Sequence, residues 1–367
     1  MYVCMCMYVC MYIYIYISLS NYLFNLLCII YTFIRLKTLL LSELQFGFAI
    51  PQGWRDDLPS AVENDPVKQY EYSKNIVKTA DKLKFNSIYA YDHFIPHYGY
   101  DIEKNFFECF ALLSAVVAVT DNLKIGQIVT CNSYRNPALL AKMLSTLDVI
   151  SNGRIELGIG AGWYEQEYKA YGYDYPSNAI RIKQLDESLD IIKAMWTEKR
   201  ATFSGKYYSI KNAVCNPKPV QKPHPIVMVG GSGEKYLLRV SAKHADRYNH
   251  YFGSPDEMKR KISILKEHCS IIGRDAKQIQ YSIVLPCLIK ETDKEIIEET
   301  KRQKKENKSV EQYIQSLAGG QTVGTPEKII EGLNKYIDIG VTHFNLHFIG
   351  LDEKALQLFD SKVIQKL

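Results

Sequence analysis

From Leu44 onward the chain repeats one unit eight times: a short, β-branched, almost continuously apolar run, followed by an amphipathic segment. The runs are QFGFAI (45–50), SIYAYD (87–92), KIGQIVT (124–130), RIELGIG (154–160), PIVMVG (225–230), DRYNHY (246–251), QYSIVLPCLI (280–289) and THFNLHFI (342–349). Strands buried on both faces read this way, because side chains alternate between two sides that are both covered. The intervening segments carry helical periodicity. In NAIRIKQLDESLDIIKAMW, residues Ile182, Leu185, Leu189, Ile192 and Met195 fall on one face. TPEKIIEGLNKYIDIG places Thr325 at an N-cap, Pro326 at the first helical position and Gly340 past the end. Eight strand–helix units in one run predict an α/β fold, a (β/α)8 TIM barrel with insertion loops over residues 44–367. A doubly wound sheet fits eight units without a second domain less well.

Two stretches exceed ordinary connections. Trp196 to Pro225 reads as a hairpin, ATFSGKYYSI with Gly205 in its turn, followed by an extended strap, NPKPVQKPHP. Lys290 to Val323 is charged and helical in part, and includes the basic run KRQKKENK (301–308), which reads as a solvated helix face or a loop. Segments of this length on a barrel serve as lids or binding loops, or are simply tolerated.

Residues 1–43 stand apart. Positions 1–34 contain no charged residue, and Arg35 and Lys37 follow, as at a membrane anchor. Yet MYVCMCMYVCMYIYIYI is what in-frame ATGT and AT repeats encode. The segment is therefore expected to be a spurious or unstructured extension, translated from repetitive DNA upstream of the true start. A cleavable signal fits less well, since no basic residue precedes the apolar run.

The formal net charge of +5 is spread among acids, which excludes a nucleic-acid footprint. Beyond the extension, Cys109, Cys131, Cys215, Cys269 and Cys287 are scattered and form no CxxC, which suits a reducing, cytoplasmic setting. No metal is expected: His343 and His347 lie four apart, sharing a strand face only loosely, without a third ligand.

Active groups of a barrel sit at the C-terminal ends of its strands. Asp92 and His93 end the second strand, and imidazole titrates nearest neutrality. The same two residues also fit a capping Asp and a satisfied core His. IVMVGGSGEKYLLRV breaks from strand into Gly230, Gly231, Ser232 and Gly233 and then into a helix, the pattern of an anion cradle or of a plain tight turn. GIGAGW, with Gly158, Gly160 and Gly162, is not the dinucleotide fingerprint, but lets a flat ring approach the backbone beside Trp163 and Glu165.

The order DHF (92–94), TCNSYRNPALLAKMLSTLDVISNGRIELGIGAGW, FSGKYYSI, NPKPVQKPHPIVMVGGSGEKYLLRVSAKHADRYN and VGTPEKIIEGL resembles the bacterial-luciferase-like superfamily. More narrowly it is similar to the oxidoreductases that use coenzyme F420, a 5-deazaflavin. The resemblance implies that Gly230, Gly231, Ser232 and Gly233 take the cofactor phosphate. It places Asp92 and His93 near the ring, with His93 as proton donor or acceptor during hydride transfer. It further implies a non-prolyl cis peptide at Gln127–Ile128 with Thr130 beside it, and a ring lined by Gly160, Ala161 and Gly162, with Arg135 and Asn136 in the adjoining loop. Lys235 and Arg239 are candidates for the cofactor's anionic tail. The sequence departs from the superfamily's sugar-phosphate dehydrogenases: Trp163 stands where they carry an acidic Glu, and His97 where they carry an aromatic. Both are assigned to the substrate pocket, and the sugar-phosphate chemistry is not carried over. The expected function is F420-dependent hydride transfer to or from a small molecule. The alternatives are a reduced-FMN-dependent monooxygenase and a flavin-binding relative without turnover. A homodimer is the expected assembly.

Overall fold

The computed structural model describes residues 44–367, apart from 56, 60, 63 and 304–307. The extension 1–43 and the middle of the basic run lie outside the described residues. The strands are β1 (Gln45–Ala49), β2 (Ser87–Ala90), β3 (Lys124–Gln127), β4 (Thr130–Cys131), β5 (Leu157–Gly160), β6 (Ala201–Ser204), β7 (Ser209–Ala213), β8 (Val227–Gly230), β9 (Arg247–Tyr251), β10 (Gln280–Ile289), β11 (Val323–Gly324) and β12 (Val341–Phe348). The large sheet runs β3-β2-β1-β12-β10-β9-β8-β5-β4, and β11 adds to β10. Every pairing in it is parallel. Ile125 of β3 exchanges backbone hydrogen bonds with Arg154 and Glu156, which brings the two ends of the sheet together. The result is a (β/α)8 barrel.

Each apolar run supplies one stave, with one correction. The third run is not continuous: it breaks into β3 and β4 around a cis peptide between Ile128 and Val129. The cis link is thus one residue beyond the expected Gln127–Ile128. The helices cover the barrel as their periodicity requires. Ile182, Leu185, Leu189, Ile192 and Met195 of the helix Asn178–Thr197 are all buried, each contributing about 1.5–3 kcal/mol by leaving water. The helix Pro326–Ile337 starts at Thr325, whose side chain makes no capping bond, and Gly340 takes φ +95° beyond its end. β6 and β7 form the expected antiparallel hairpin.

Alternation along the strands sorts two environments. Phe46 packs on Phe344 and on Phe359 of the helix Glu353–Lys362, outside the barrel. Inside, Arg247 pairs with Glu156 at 2.7 Å, Tyr89 donates to the same carboxylate at 2.6 Å, and Arg247 reaches Gln45 at 3.0 Å. His343 and His347 share the inward face fully, since a strand repeats every two residues. Their partners differ: Ser282 at 2.8 Å for His343 and the Tyr91 hydroxyl at 2.9 Å for His347. Burial and the nearby Arg247 hold His343 well below its ordinary pKa. These rings are interior hydrogen-bonding groups.

Candidate active site

A cavity of about 510 Å³ opens at the C-terminal ends of the strands. Its wall includes Asp92, His93, His97, Ile128 and Thr130 from the early loops, Gly160, Ala161, Gly162 and Trp163 after β5, and Gly230, Gly231, Ser232 and Gly233 after β8. Residues dispersed over some 140 positions thus meet because every βα turn faces one end of the barrel. Gln127 and Arg135 do not line it. Gln127 lies buried beneath, its Oε1 accepting from Thr130 Oγ1 at 3.2 Å. Arg135 turns toward Asp92 (2.7 Å) and Glu108 (2.8 Å) and stacks over Phe110. Asn136 caps the helix Pro137–Ile150. Lys235 lies over Tyr236 outside the wall, and Glu165 pairs with Lys169 on the surface.

His93 is held on two sides. Its ring stacks on Trp54 with centroids 4.0 Å apart, and Nδ1 lies 2.8 Å from Glu167 Oε2. Glu167, fully buried, also accepts from the amides of Phe94 and Ile95 and from the Tyr134 hydroxyl. Burial pushes this carboxyl up. The bonds from His93, Phe94 and Tyr134 outweigh that and hold it below the usual range. An ionised Glu167 fixes the proton of His93 on Nδ1 and leaves Nε2, which has no protein partner among the described residues, at the cavity. Sequence reasoning missed Glu167. The signal was an acid on an otherwise surface-like turn, WYEQE, in the first turn of the helix Glu165–Ala170, with nothing to show that it faces inward. Trp54 gave no signal.

Asp92 plays the holding role. Its Oδ2 accepts from the Cys131 amide (2.9 Å) and from Arg135 (2.7 Å). Burial raises its pKa against the opposing pull of Arg135. Oδ1 is buried without a partner among the described residues, as is the hydroxyl of Tyr164, and both residues belong to the cavity wall. Cys131 faces the same space. Burial pushes its thiol up to about 12, so it is no nucleophile near neutrality.

The glycine turn is narrower than its composition suggests. Gly231, at φ +141°, spends its amide on the Asn249 carbonyl, and a Cβ there would meet Leu237 at 2.3 Å. Ser232 and Gly233 keep their amides free of acceptors among the described residues, ahead of the helix Leu237–His244. Gly160 and Gly230 serve packing: a Cβ on either would strike Val129, at 2.9 and 2.7 Å. Gly162 needs its φ of +76°, and a Cβ there would strike the Tyr168 hydroxyl at 1.9 Å. Trp163, 48% exposed, stands at the rim, stacked on Tyr164 and edge-on to His93 at 5.7 Å. Among the described residues, Asp186, Asp190 and His244 have metal-ligand spacing, but Lys243 bonds both carboxylates at 2.8 and 2.9 Å. The lysine takes the place of a cation.

The model of the luciferase-like monooxygenases matches residues 44–343. The chain belongs to this family. The match places it among oxidoreductase enzymes, and its curated relatives are of two kinds, F420-dependent and FMNH2-dependent. An F420-dependent glucose-6-phosphate dehydrogenase of Amycolatopsis mediterranei (strain U-32) is 25% identical over 84% of this luciferase-like chain and 96% of its own. An FMNH2-dependent dimethylsulfone monooxygenase of Pseudomonas putida is 25% identical over 64% of each chain. The counterpart from Pseudomonas fluorescens (strain Pf0-1) is 23% identical over 88% of this chain and 94% of its own. Among solved structures, an F420-dependent secondary alcohol dehydrogenase in complex with an F420–acetone adduct superposes with TM-score 0.69 at 21% identity, covering 87% of this chain and 98% of that one. A long-chain alkane monooxygenase gives 0.72 at 16%, covering 88% and 91%. These two likenesses establish the fold. No helix among the described residues is long and apolar enough to cross a membrane.

Proposed function

We propose that this protein is a coenzyme F420-dependent oxidoreductase acting on a small organic substrate, with His93 as the proton donor or acceptor. The observation that carries the reading is the Glu167–His93 pair, presenting Nε2 to a cavity whose other end is the glycine turn. The residues suit such a cofactor. Ser232 and Gly233 offer free amides for a phosphate. Asp92 Oδ1 and the Tyr164 hydroxyl offer an acceptor and a donor for a ring bearing both N–H and carbonyl groups. When bound, a deazaflavin supplies two-electron hydride chemistry. The protein's part is binding, orientation and one proton. His93 Nε2 takes that proton from a substrate hydroxyl or returns it to a carbonyl oxygen. Glu167 keeps Nδ1 protonated and stabilises the imidazolium so formed. Trp54 and Trp163 wall off water.

A second reading, a monooxygenase using reduced FMN, draws on a specific observation: the FMNH2-dependent relative from P. fluorescens spans as much of the chain as the F420-dependent one. The test is separate titration of the full chain with F420 and FMN, following cofactor and tryptophan fluorescence. Tight F420 and weak FMN binding is expected, and the reverse order refutes the reading. His93→Ala should lower turnover by roughly 10²–10⁴-fold while leaving the cofactor dissociation constant nearly unchanged. Unaltered turnover removes His93 from the mechanism.

A further inference from the structure

Beside the active cavity lies a second, of about 660 Å³, between the loop after β1, the helix Asp293–Gln303 and the turn after β12. Arg55 forms part of its wall, and the same guanidinium contacts two residues that line the first cavity. Its Nη2 donates to His97 Nε2 at 3.3 Å and to the Tyr251 hydroxyl at 3.4 Å, both of which line the active cavity. His97 is set to accept, because its Nδ1 donates to the Tyr98 carbonyl at 2.7 Å. The Arg55 Nε is buried and unpartnered among the described residues.

The carboxylates described in this second cavity are engaged elsewhere. Asp57 accepts from the amides of Gln52 and Gly53, each at 3.0 Å. Asp352 accepts from Ala355 at 2.7 Å, and Glu299 faces Arg302 and Gln303. Arg55 therefore pairs with no carboxylate among the described residues. It rests on the His97 ring and the Tyr251 hydroxyl, at long distances, and over the Phe252 ring at 5.4 Å. A guanidinium is built for two-pronged recognition of a planar oxyanion, and a half-buried one without a counter-charge leaves that capacity open. Its chain neighbour Trp54 stacks on His93, so one residue of the loop after β1 links the cation to the ring that packs on the proton carrier. Trp54, Tyr98 and Tyr251 supply an apolar wall between them.

We propose that Arg55 anchors a carboxylate of the substrate, whose apolar or aromatic body lies against this wall with its reacting end toward His93. The substrate class is then a small aromatic or apolar carboxylic acid that also bears an alcohol or carbonyl. The inference rests on the oxidoreductase reading only in taking the ligand to be the substrate.

The test needs neither cofactor nor turnover, so its failure leaves the cofactor assignment standing. Full-chain protein is titrated with benzoate, phenylacetate and benzamide, following tryptophan fluorescence. The carboxylates are expected to bind at least about tenfold more tightly than benzamide. Arg55→Gln should weaken them by roughly 10- to 100-fold and leave benzamide unaffected. Equal binding of benzoate and benzamide, or benzoate binding unchanged in the variant, overturns the proposal. Should the variant fail to fold, acetate competition on the wild-type protein replaces it: acetate must displace benzoate, and failure to do so is equally fatal. Displacement by inorganic phosphate at lower concentration than by acetate reassigns the anchor to a phosphate. A loss of F420 affinity in Arg55→Gln reassigns it to the cofactor's anionic tail. Either result overturns the substrate-carboxylate assignment.

Discussion

Replacing Glu167 by Gln isolates what one buried charge does for His93. The carboxylate takes Phe94 and Ile95 amides on Oε1, and His93 and Tyr134 on Oε2. A glutamine of the same shape can keep the two amides on its carbonyl oxygen. Its NH2 then faces His93 Nδ1 and the Tyr134 hydroxyl, both donors in the native arrangement. The phenol can rotate to accept, but the imidazole can accept only by moving its proton to Nε2. That is the wrong tautomer for a base facing the cavity, and the imidazolium loses its counter-charge. By analogy with the carboxylate of a Ser-His-Asp triad, turnover should fall by up to about 10⁴-fold. Losing one charge-assisted bond should cost about 1.5–3 kcal/mol of stability. The decisive assay is nitrogen NMR of the His93 ring, which reads the tautomer without a substrate. The expected result is Nδ1–H in the native protein and Nε2–H in the variant, with cofactor binding retained. An unchanged tautomer would refute the claim that Glu167 sets it. The native carboxylate's pKa is depressed, so its contribution is present above the ordinary carboxylate pKa and disappears as pH falls through the folded-state value.

Gly233→Asp should weaken binding of a phosphate-bearing cofactor by roughly tenfold or more through like charge. It should do so without loss of fold, because among the described residues a Cβ there contacts only Leu237, at 3.5 Å; an unchanged dissociation constant would move the phosphate elsewhere. His347 is held neutral, with burial first and Arg55 and His97 next bringing its pKa from 6.5 to about 3. The unfolded chain therefore binds the extra proton between those values, and stability falls as pH drops through that window, by up to about 4–5 kcal/mol at its lower end. His347→Gln should flatten this acid limb in urea unfolding compared at neutral pH and at about pH 4.5; an equally steep loss would assign the acid sensitivity to other groups.

The barrel could be read from the chain because its cause is periodic. Runs buried on both faces, each followed by a helix with one apolar stripe, admit few other closed arrangements. The same reasoning placed His93, Trp163 and the glycine turn at one mouth, since strand ends are visible in sequence. Other features depended on which way a side chain turns, which spacing along the chain does not encode. Arg135 read as a cofactor contact, but in the fold it neutralises the buried Asp92. Gly231 read as an open amide, but its amide is taken by Asn249 from the neighbouring strand. Glu167 carried no reading in the sequence, yet the helix after β5 packs on the loop after β2 and buries it against His93. Sequence alone determined the eight-fold strand–helix repeat and which end of it carries the chemistry. Only the tertiary structure decided which groups are paired and which are left for a ligand, because pairing across the barrel mouth joins residues dozens of positions apart.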